Sequence, residues 1–397
     1  MTHSREYRST HPWISFRHHL ERADPVHWSL LGAAAARCEQ ISQAVLPPAD
    51  ARELHRLYLV KGARATTAIE GNTLSEEQIA AQLEGRLELP RSQEYLGREV
   101  DNVLKAANDI FVEILEDRPP ALAPHWIAGA NRHLLAGLEE HLEEGLAPGE
   151  VPTHPVGVLR YRGAPRQDCG FLLQRLCGWI EGDGWPFRPD RREDRIASAI
   201  LRAVFVHLYI AWIHPFGDGN GRTARLAEFM ILAREGVPSP CAHLLSNHYY
   251  LTRSEYYRQL DRSSRANSGR GDPLDFLLYS LRGFVDGLRE QGRQIAAIQL
   301  KLAWEHFVYG EFRRRRSSSA MRRRRDVTLA LGRAGRPVRK RDIPDLHPGL
   351  ARLYAERTGK TLTRDMNWLV AQDFLEEGED GYRAQVDSMR GFRPARA

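Results

Sequence analysis

The stretch from Arg195 to Ile213 limits the possible folds more than any other. Ile196, Ile200, Leu201, Val204, Phe205, Val206, Leu208, Tyr209, Ile210 and Trp212 spread apolar side chains over nearly the whole circumference of a helix. Such a helix has no face to give to water and belongs at the centre of a helical domain. Arg202 and His207 interrupt it, so it falls short of the roughly 18 uncharged residues of a membrane span, and no membrane association is expected. The helix should end at His214, because Pro215 disfavours helical geometry in the residue before it. A second apolar helix, with Leu226, Phe229, Met230 and Ala233 at helical spacing, begins near Asn220 or Gly221 and stops at Gly236.

Between them lies Phe216-Gly217-Asp218-Gly219-Asn220-Gly221-Arg222-Thr223-Ala224-Arg225. A loop that feeds a helix N-terminus presents free N–H groups and the positive end of the dipole, and these attract an anion. Arg222 and Arg225 sit in the first turn, where a cation is disfavoured by about a few tenths of a kcal/mol. A phosphate chain would offset that cost. The glycines let the backbone approach closely, the two guanidinium groups offer bidentate donors, and Asp218 reads as the carboxylate for a Mg²⁺ shared with the phosphates.

From His214 to Arg225 the sequence resembles the Fic family, whose motif HPFx[D/N]GNGRxxR it matches at every specified position. The resemblance implies transfer of AMP from ATP to a Ser, Thr or Tyr hydroxyl of a protein. It implies His214 as general base, Asp218 as the Mg²⁺ ligand, Gly217, Gly219, Asn220 and Gly221 around the phosphates, and Arg222 and Arg225 upon them. An imidazole near neutral pKa suits the first task, and in-line displacement depends mostly on positioning and charge neutralisation. The related Doc kinases carry Lys where this chain has Gly221, which favours adenylyl over phosphoryl transfer.

A second informative stretch ends the helix expected from Ala51 to about Ile69. Gly71 and Asn72 read as its left-handed cap, and Ser75 with Gln78 reads as a capping box for the next helix. Alone, Glu70 would be a solvated last-turn carboxylate. Beside the first motif, Thr66-x-x-x-Glu70-Gly71 resembles the inhibitory motif [S/T]xxxE[G/N] of Fic proteins. That likeness implies a Glu70–Arg225 pair that forces the nucleotide into a nonproductive pose. In some relatives the same Glu activates a water that removes AMP, so the reverse reaction stays open.

The chain is otherwise expected to be helical up to about the last quarter, with one hairpin candidate, Val151 to Ala164. In the Fic resemblance it takes the place of a flap that aligns a target segment by strand addition, with Val156, Gly157 and Val158 as docking positions. The resemblance also implies a nucleotide contact from Tyr256 or Tyr257. His207 reads as a satisfied core histidine. No HExxH spacing suggests zinc, and Cys38, Cys169, Cys177 and Cys241 are too dispersed for a disulfide framework. The aromatic opening Pro12-Trp13-Ile14-Ser15-Phe16 and the helical residues after it read as a packing arm.

The net charge of +6 matters less than its placement. Arg313–Arg316, Arg322–Arg325, Arg333, Arg336, Arg339, Lys340 and Arg341 concentrate it near the C-terminus. Residues 311–325 are expected as a basic linker or a solvated helix. Beyond them, helical stretches at Val327–Leu331, Ile343–Tyr354 and Thr361–Gln372 and a hairpin around Glu376–Tyr382 resemble a winged helix-turn-helix, a module often attached to Fic domains. Thr361, Thr363, Arg364 and Asn367 would face a major groove, and the basic approach would contact phosphates. The acidic wing counts against DNA, so a protein-interaction or dimerisation role stays open beside it.

The expected class is therefore mainly α, a Fic-fold helical bundle with a β-hairpin flap and a C-terminal winged helix. Residues 1–120 would hold the inhibitory helix, 121–310 the catalytic domain, 311–325 a linker and 326–397 the winged helix. The expected partners are ATP with Mg²⁺, a protein substrate, DNA through 326–397 and, by family analogy, a second copy. The polar first residues lack a signal-peptide core and point to the cytoplasm. The rival readings are AMP removal with Glu70 as base, and a DNA-binding regulator whose Fic domain only senses nucleotide.

Overall fold

The computed structural model describes residues 5–144, 146–153, 157–158, 161–182, 185 and 191–390. They divide into two units, Met1–Gly292 and Arg293–Ala397. The first contains α1 (Tyr7–Thr10), α2 (Pro25–Ser42), α3 (Pro48–Ala68), α4 (Glu76–Leu83), α5 (Glu94–Leu115) and α6 (Pro124–Leu134). A hairpin of β1 (Gly157–Val158) and β2 (Tyr161–Arg162) follows. Then come α7 (Arg166–Glu181), α8 (Arg192–Ile213), α9 (Asn220–Arg234), α10 (Ser239–Ala242), α11 (Leu244–Leu251), α12 (Arg253–Gly269) and the start of α13 (Leu274–Arg313). The second unit takes the end of α13, then α14 (Ser319–Ala334), α15 (Pro348–Ala355), α16 (Gly359–Ala371) and the antiparallel pair β3 (Leu375–Gly378) and β4 (Gly381–Ala384).

The all-apolar helix is central, as its composition demands. α8 packs on α9 along its length and also against α2 and α7, and Ile196, Ile200, Val206, Tyr209 and Ile210 are fully buried. Among the described residues it alone is long and apolar enough to pass for a membrane span, yet nearly all of it is buried within its own unit. The N-terminal arm packs as expected: the Tyr7 N–H donates to the buried carboxylate of Asp168 at 2.9 Å, and Phe16 stacks on Tyr209 with ring centroids 5.3 Å apart. The Ser75–Gln78 capping box is present at the start of α4, where it satisfies donors that the helix cannot satisfy itself.

Three expected boundaries differ. No division falls at residue 120, because α5 and α6 on either side of it pack on each other and both pack on α9. The units separate after Gly292 and not near residue 310, because the last turns of α13 give Trp304, Val308 and Phe312 to the second core. Residues 311–325 are no linker: only 314–318 lie outside helices. Arg323, at the heart of the basic run, is buried and donates from Nε to Asp365 at 3.0 Å, while Arg324 Nε reaches the same carboxylate at 2.8 Å. The Tyr354 hydroxyl donates to it as well, at 3.1 Å. A buried carboxylate needs this many donors. Arg315 lies 5.0 Å from the Trp368 ring centre and 5.3 Å from that of Phe374. Three arginines expected to meet phosphates are thus committed inside the second unit. There the hairpin β3–β4 is extended by a bridge between Val338 and Tyr382.

Candidate functional site

The site is built where α8 stops. Its cap is His214, held left-handed at φ 49° and ψ 58°, with its N–H donating to Ile210 O at 2.9 Å. Pro215 disfavours the helical region for His214, and the left-handed well costs a non-glycine residue about 1 kcal/mol. The hairpin strand β2 and the residues after it hold this turn in place. The Tyr161 hydroxyl donates to Trp212 O, the Ala164 N–H donates to Ile213 O at 2.9 Å, and a Cβ on Gly163 would lie 2.9 Å from His214 O. The Tyr161 and His214 ring centroids are 6.4 Å apart. Burial pushes the His214 imidazole down to about 4, against the opposing pull of Glu70, the Ala211 backbone and Asp218. It is neutral at pH 7 and can accept a proton, but as a weaker base than the near-neutral imidazole expected.

The loop from Phe216 to Gly219 is braced from inside. The Asn220 carboxamide accepts the Phe216 N–H at 3.0 Å and donates to Phe216 O at 2.7 Å. Its side chain therefore shapes the loop, and its backbone N–H lies at the start of α9. Gly219 adopts φ 73° as the residue before α9, a conformation that costs glycine nothing. A Cβ on Gly217 would collide with Leu146. Behind the loop stands Asn131, fully buried, whose amide donates to Asp218 O at 2.9 Å and Thr223 Oγ1 at 3.1 Å while its oxygen accepts the Gly149 N–H at 2.8 Å.

Each arginine of the motif holds a carboxylate. Arg225, 1% exposed, donates from Nη2 to Glu70 Oε1 at 2.5 Å and to Thr66 O at 3.0 Å, so Thr66 contributes its carbonyl. Arg225 Nε and Nη1 have no hydrogen-bond partner among the described residues. Burial would raise the Glu70 carboxyl, but Arg225 outweighs it and holds Glu70 below the usual carboxylate range. Arg222 donates to Glu99 at 2.8 Å and to Asp218 Oδ1 at 3.2 Å. Asp218 Oδ1 also accepts the Gly219 N–H, and its side chain stays 44% exposed.

A cavity of about 530 Å³ opens on this arrangement, lined by Glu70, Tyr161, Trp212, His214, Gly221, Tyr256 and Tyr257, with Leu260, Asp261 and Arg265 at one side. That volume suits a nucleotide-sized ligand. Of the expected residues, Glu70, His214, Gly221, Tyr256 and Tyr257 come together here; Asp218, Arg222 and Arg225 do not line the cavity. Gly157 and Val158 form β1, paired with Arg162 and Tyr161, while Val156 lies outside the described residues. No group of three or more His, Cys, Asp and Glu able to hold a metal occurs among the described residues. Mg²⁺ can be held by one carboxylate when substrate phosphates complete its shell, and Asp218, with both contacts on one oxygen, fits that smaller requirement.

Sequence reasoning missed Glu99, Asn131 and Tyr161. Asn131 had a weak signal, an amide on the same helical stripe as the buried Ile127 and Leu134. Glu99 had none, since its partner lies 123 residues away.

Residues 121–232 match a model of the Fic/DOC family, which bears out the resemblance over the segment that carries the loop. Among curated relatives, protein adenylyltransferase fic-1 of Caenorhabditis elegans is 28% identical over 209 residues, covering 53% of this chain and 36% of its own length. Protein adenylyltransferase Fic of Nematostella vectensis is 25% identical over 222 residues, 55% of this chain and 45% of that protein. The chain thus spans less than half the length of these relatives. Among solved structures, a Fic family protein from Desulfovibrio desulfuricans superposes with a TM-score of 0.53 at 20% identity, covering 93% of this chain and 98% of that one. Fic-1 of C. elegans gives 0.53 at 23% identity, covering 69% and 73%. At these identities the structural likeness concerns the fold, which is mainly helical in each comparison with this chain.

Proposed function

We propose that this protein transfers AMP from ATP to a Ser, Thr or Tyr hydroxyl of a protein, and that Glu70 restrains it. The observation that carries the reading is the Glu70 carboxylate seated on Arg225 at 2.5 Å, in the same cavity that exposes His214 and the start of α9. In the forward reaction the target oxygen attacks the α-phosphorus, the bond to the β-phosphate oxygen breaks, and pyrophosphate leaves. Neutral His214 takes the hydroxyl proton. The N–H groups at the start of α9 would face the charge that develops on the phosphates, with Arg222 behind them holding Asp218. Asp218 would hold Mg²⁺, which when bound neutralises the phosphate oxygens. With Glu70 in place, Arg225 is already paired, and a terminal phosphate would have to displace a carboxylate to reach it.

The hairpin β1–β2, laced to the His214 turn, supports a role in aligning the target segment through Val156, Gly157 and Val158. Three helices followed by a bridged hairpin support a winged helix-turn-helix for the second unit. The commitment of Arg323 and Arg324 to Asp365 favours a protein-interaction role there over DNA. A second reading, AMP removal with Glu70 orienting a water, is favoured by the presence of Glu70 and His214 in one cavity.

The deciding experiment is incorporation of α-labelled ATP with Mg²⁺ in cell lysate by the wild type, Glu70→Gly and Glu70→Gly/His214→Ala. Label should rise with the first substitution and vanish with the second. Absence of label in every variant, self-modification included, would overturn transfer. Loss of AMP removal on Glu70→Gly would favour the reverse reaction.

A further inference from the structure

Behind the cavity wall runs a buried polar chain that the transfer reaction does not use. Tyr256 is among the residues that line the cavity, and its hydroxyl meets Nε2 of His207 at 3.0 Å. His207 is fully buried, and its Nδ1 lies 3.4 Å from Oε2 of Glu228, itself 1% exposed. Neither of those two atoms has a hydrogen-bond partner among the described residues, so this link is a close ion-pair contact between buried groups and not a formed hydrogen bond. The other Glu228 oxygen accepts the Tyr249 hydroxyl at 2.9 Å, and Ser280 meets that hydroxyl at 3.0 Å. One residue comes from each of α8, α9, α11, α12 and α13.

The donors follow from valence. Tyr249 has one proton and gives it to Glu228, so Ser280 donates to Tyr249. With Nδ1 turned to the Glu228 carboxylate, the tautomer that carries its proton on Nδ1 leaves Nε2 as an acceptor. Tyr256, held protonated by its burial, donates to it. The ring of Tyr256 is further fixed by stacking on Tyr249, with centroids 5.0 Å apart and planes 25° apart. An apolar core would be cheaper than a buried carboxylate and imidazole, and buried polar groups held this close restrict one another's geometry. Here that geometry is the plane and position of an aromatic wall.

We propose that Glu228 and His207 are positioning residues that tether Tyr256 as the platform for the base of the bound nucleotide. The inference rests on the cavity being the nucleotide site. The tether acts on binding and leaves the bond-breaking groups, His214 and the start of α9, untouched.

The test uses the full chain carrying Glu70→Gly, with Tyr256→Phe, His207→Phe and both together. ATP affinity is measured by calorimetry with Mg²⁺, and KM and kcat by AMP transfer. Loss of one tethering hydrogen bond should weaken ATP binding and raise its KM about tenfold. The double variant should be no weaker than the worse single variant, and kcat should stay within about twofold. Additive losses, an equal fall in kcat, or unchanged affinity would each overturn the tether. Should His207→Phe fail to fold, Tyr256→Phe removes a single oxygen and must give the same split. A parent that binds ATP but transfers nothing sinks the transferase reading while affinity still judges the tether. A parent that binds no ATP sinks both.

Discussion

A Cβ placed on Gly221 would lie 2.3 Å from Oε1 of Glu70 and 3.1 Å from Nη1 of Arg225. The missing side chain of one motif is therefore what lets the carboxylate of the other reach its arginine. Two stretches separated by some 150 residues of sequence meet at a contact where any side chain in place of glycine would push the Glu70 carboxylate aside.

Gly221→Ala should accordingly cost about 1–3 kcal/mol through overpacking. Glu70→Gly removes the nearest clashing atom, so the double variant should recover at least half of that loss. Urea unfolding of the two single variants, the double variant and the wild type gives the coupling directly. Additive losses would mean that Glu70 does not occupy the space beside Gly221.

The Glu70–Arg225 pair predicts a pH signature. The folded Glu70 carboxyl lies below its ordinary value, so the unfolded chain takes up the proton first as pH falls. The pair's contribution is then fully present above about pH 4.5, the range of an unfolded glutamate, and is lost as pH drops through the lower folded value. The stability gap between the wild type and Glu70→Gln should be constant from pH 7 to pH 5 and shrink below that. A gap that already closes near pH 6 would contradict the pairing.

Buried histidines act in a higher window. Burial lowers His214 and His248 to about 4 and His243 to about 3. Each is neutral in the fold, while the unfolded chain binds a proton below about pH 6.5, so stability should fall steadily from pH 6.5 towards 4, by about 3 kcal/mol for a group lowered by roughly two units or more. His243 stacks on Phe229 with ring centroids 4.6 Å apart and is not a residue of the loop. His243→Phe should flatten the acid limb of the unfolding midpoint, and an unchanged limb would remove this residue from the account.

Asn131 makes a structural prediction with a functional readout. Truncation to Ala strands the Asp218 carbonyl, the Thr223 hydroxyl and the Gly149 N–H, at a cost of about 1–3 kcal/mol for buried groups left unpaired. Since two of these partners flank Gly219, AMP transfer in a Glu70→Gly background should fall more than ATP affinity does. Equal falls would show that the loop keeps its shape without the amide.

Much of this protein is legible along the chain. The apolar circumference of α8 placed it at the centre, Pro215 ended it at His214, and the glycines before Arg222 marked the start of α9. Ser75 and Gln78 announced α4. These features are local: periodicity, proline sterics and caps act within a turn or two, so the sequence carries them without help. Tertiary structure alone decided the partners. It placed Glu99 on Arg222, Asn131 behind the loop, Glu228 and His207 behind Tyr256, and Arg323 with Arg324 on Asp365. Each joins charged or polar groups far apart in sequence, and each exists because burial removes water as the alternative partner. The basic run misled for the same reason. A string of arginines reads as a solvated or phosphate-binding surface until the fold supplies a buried carboxylate to receive them.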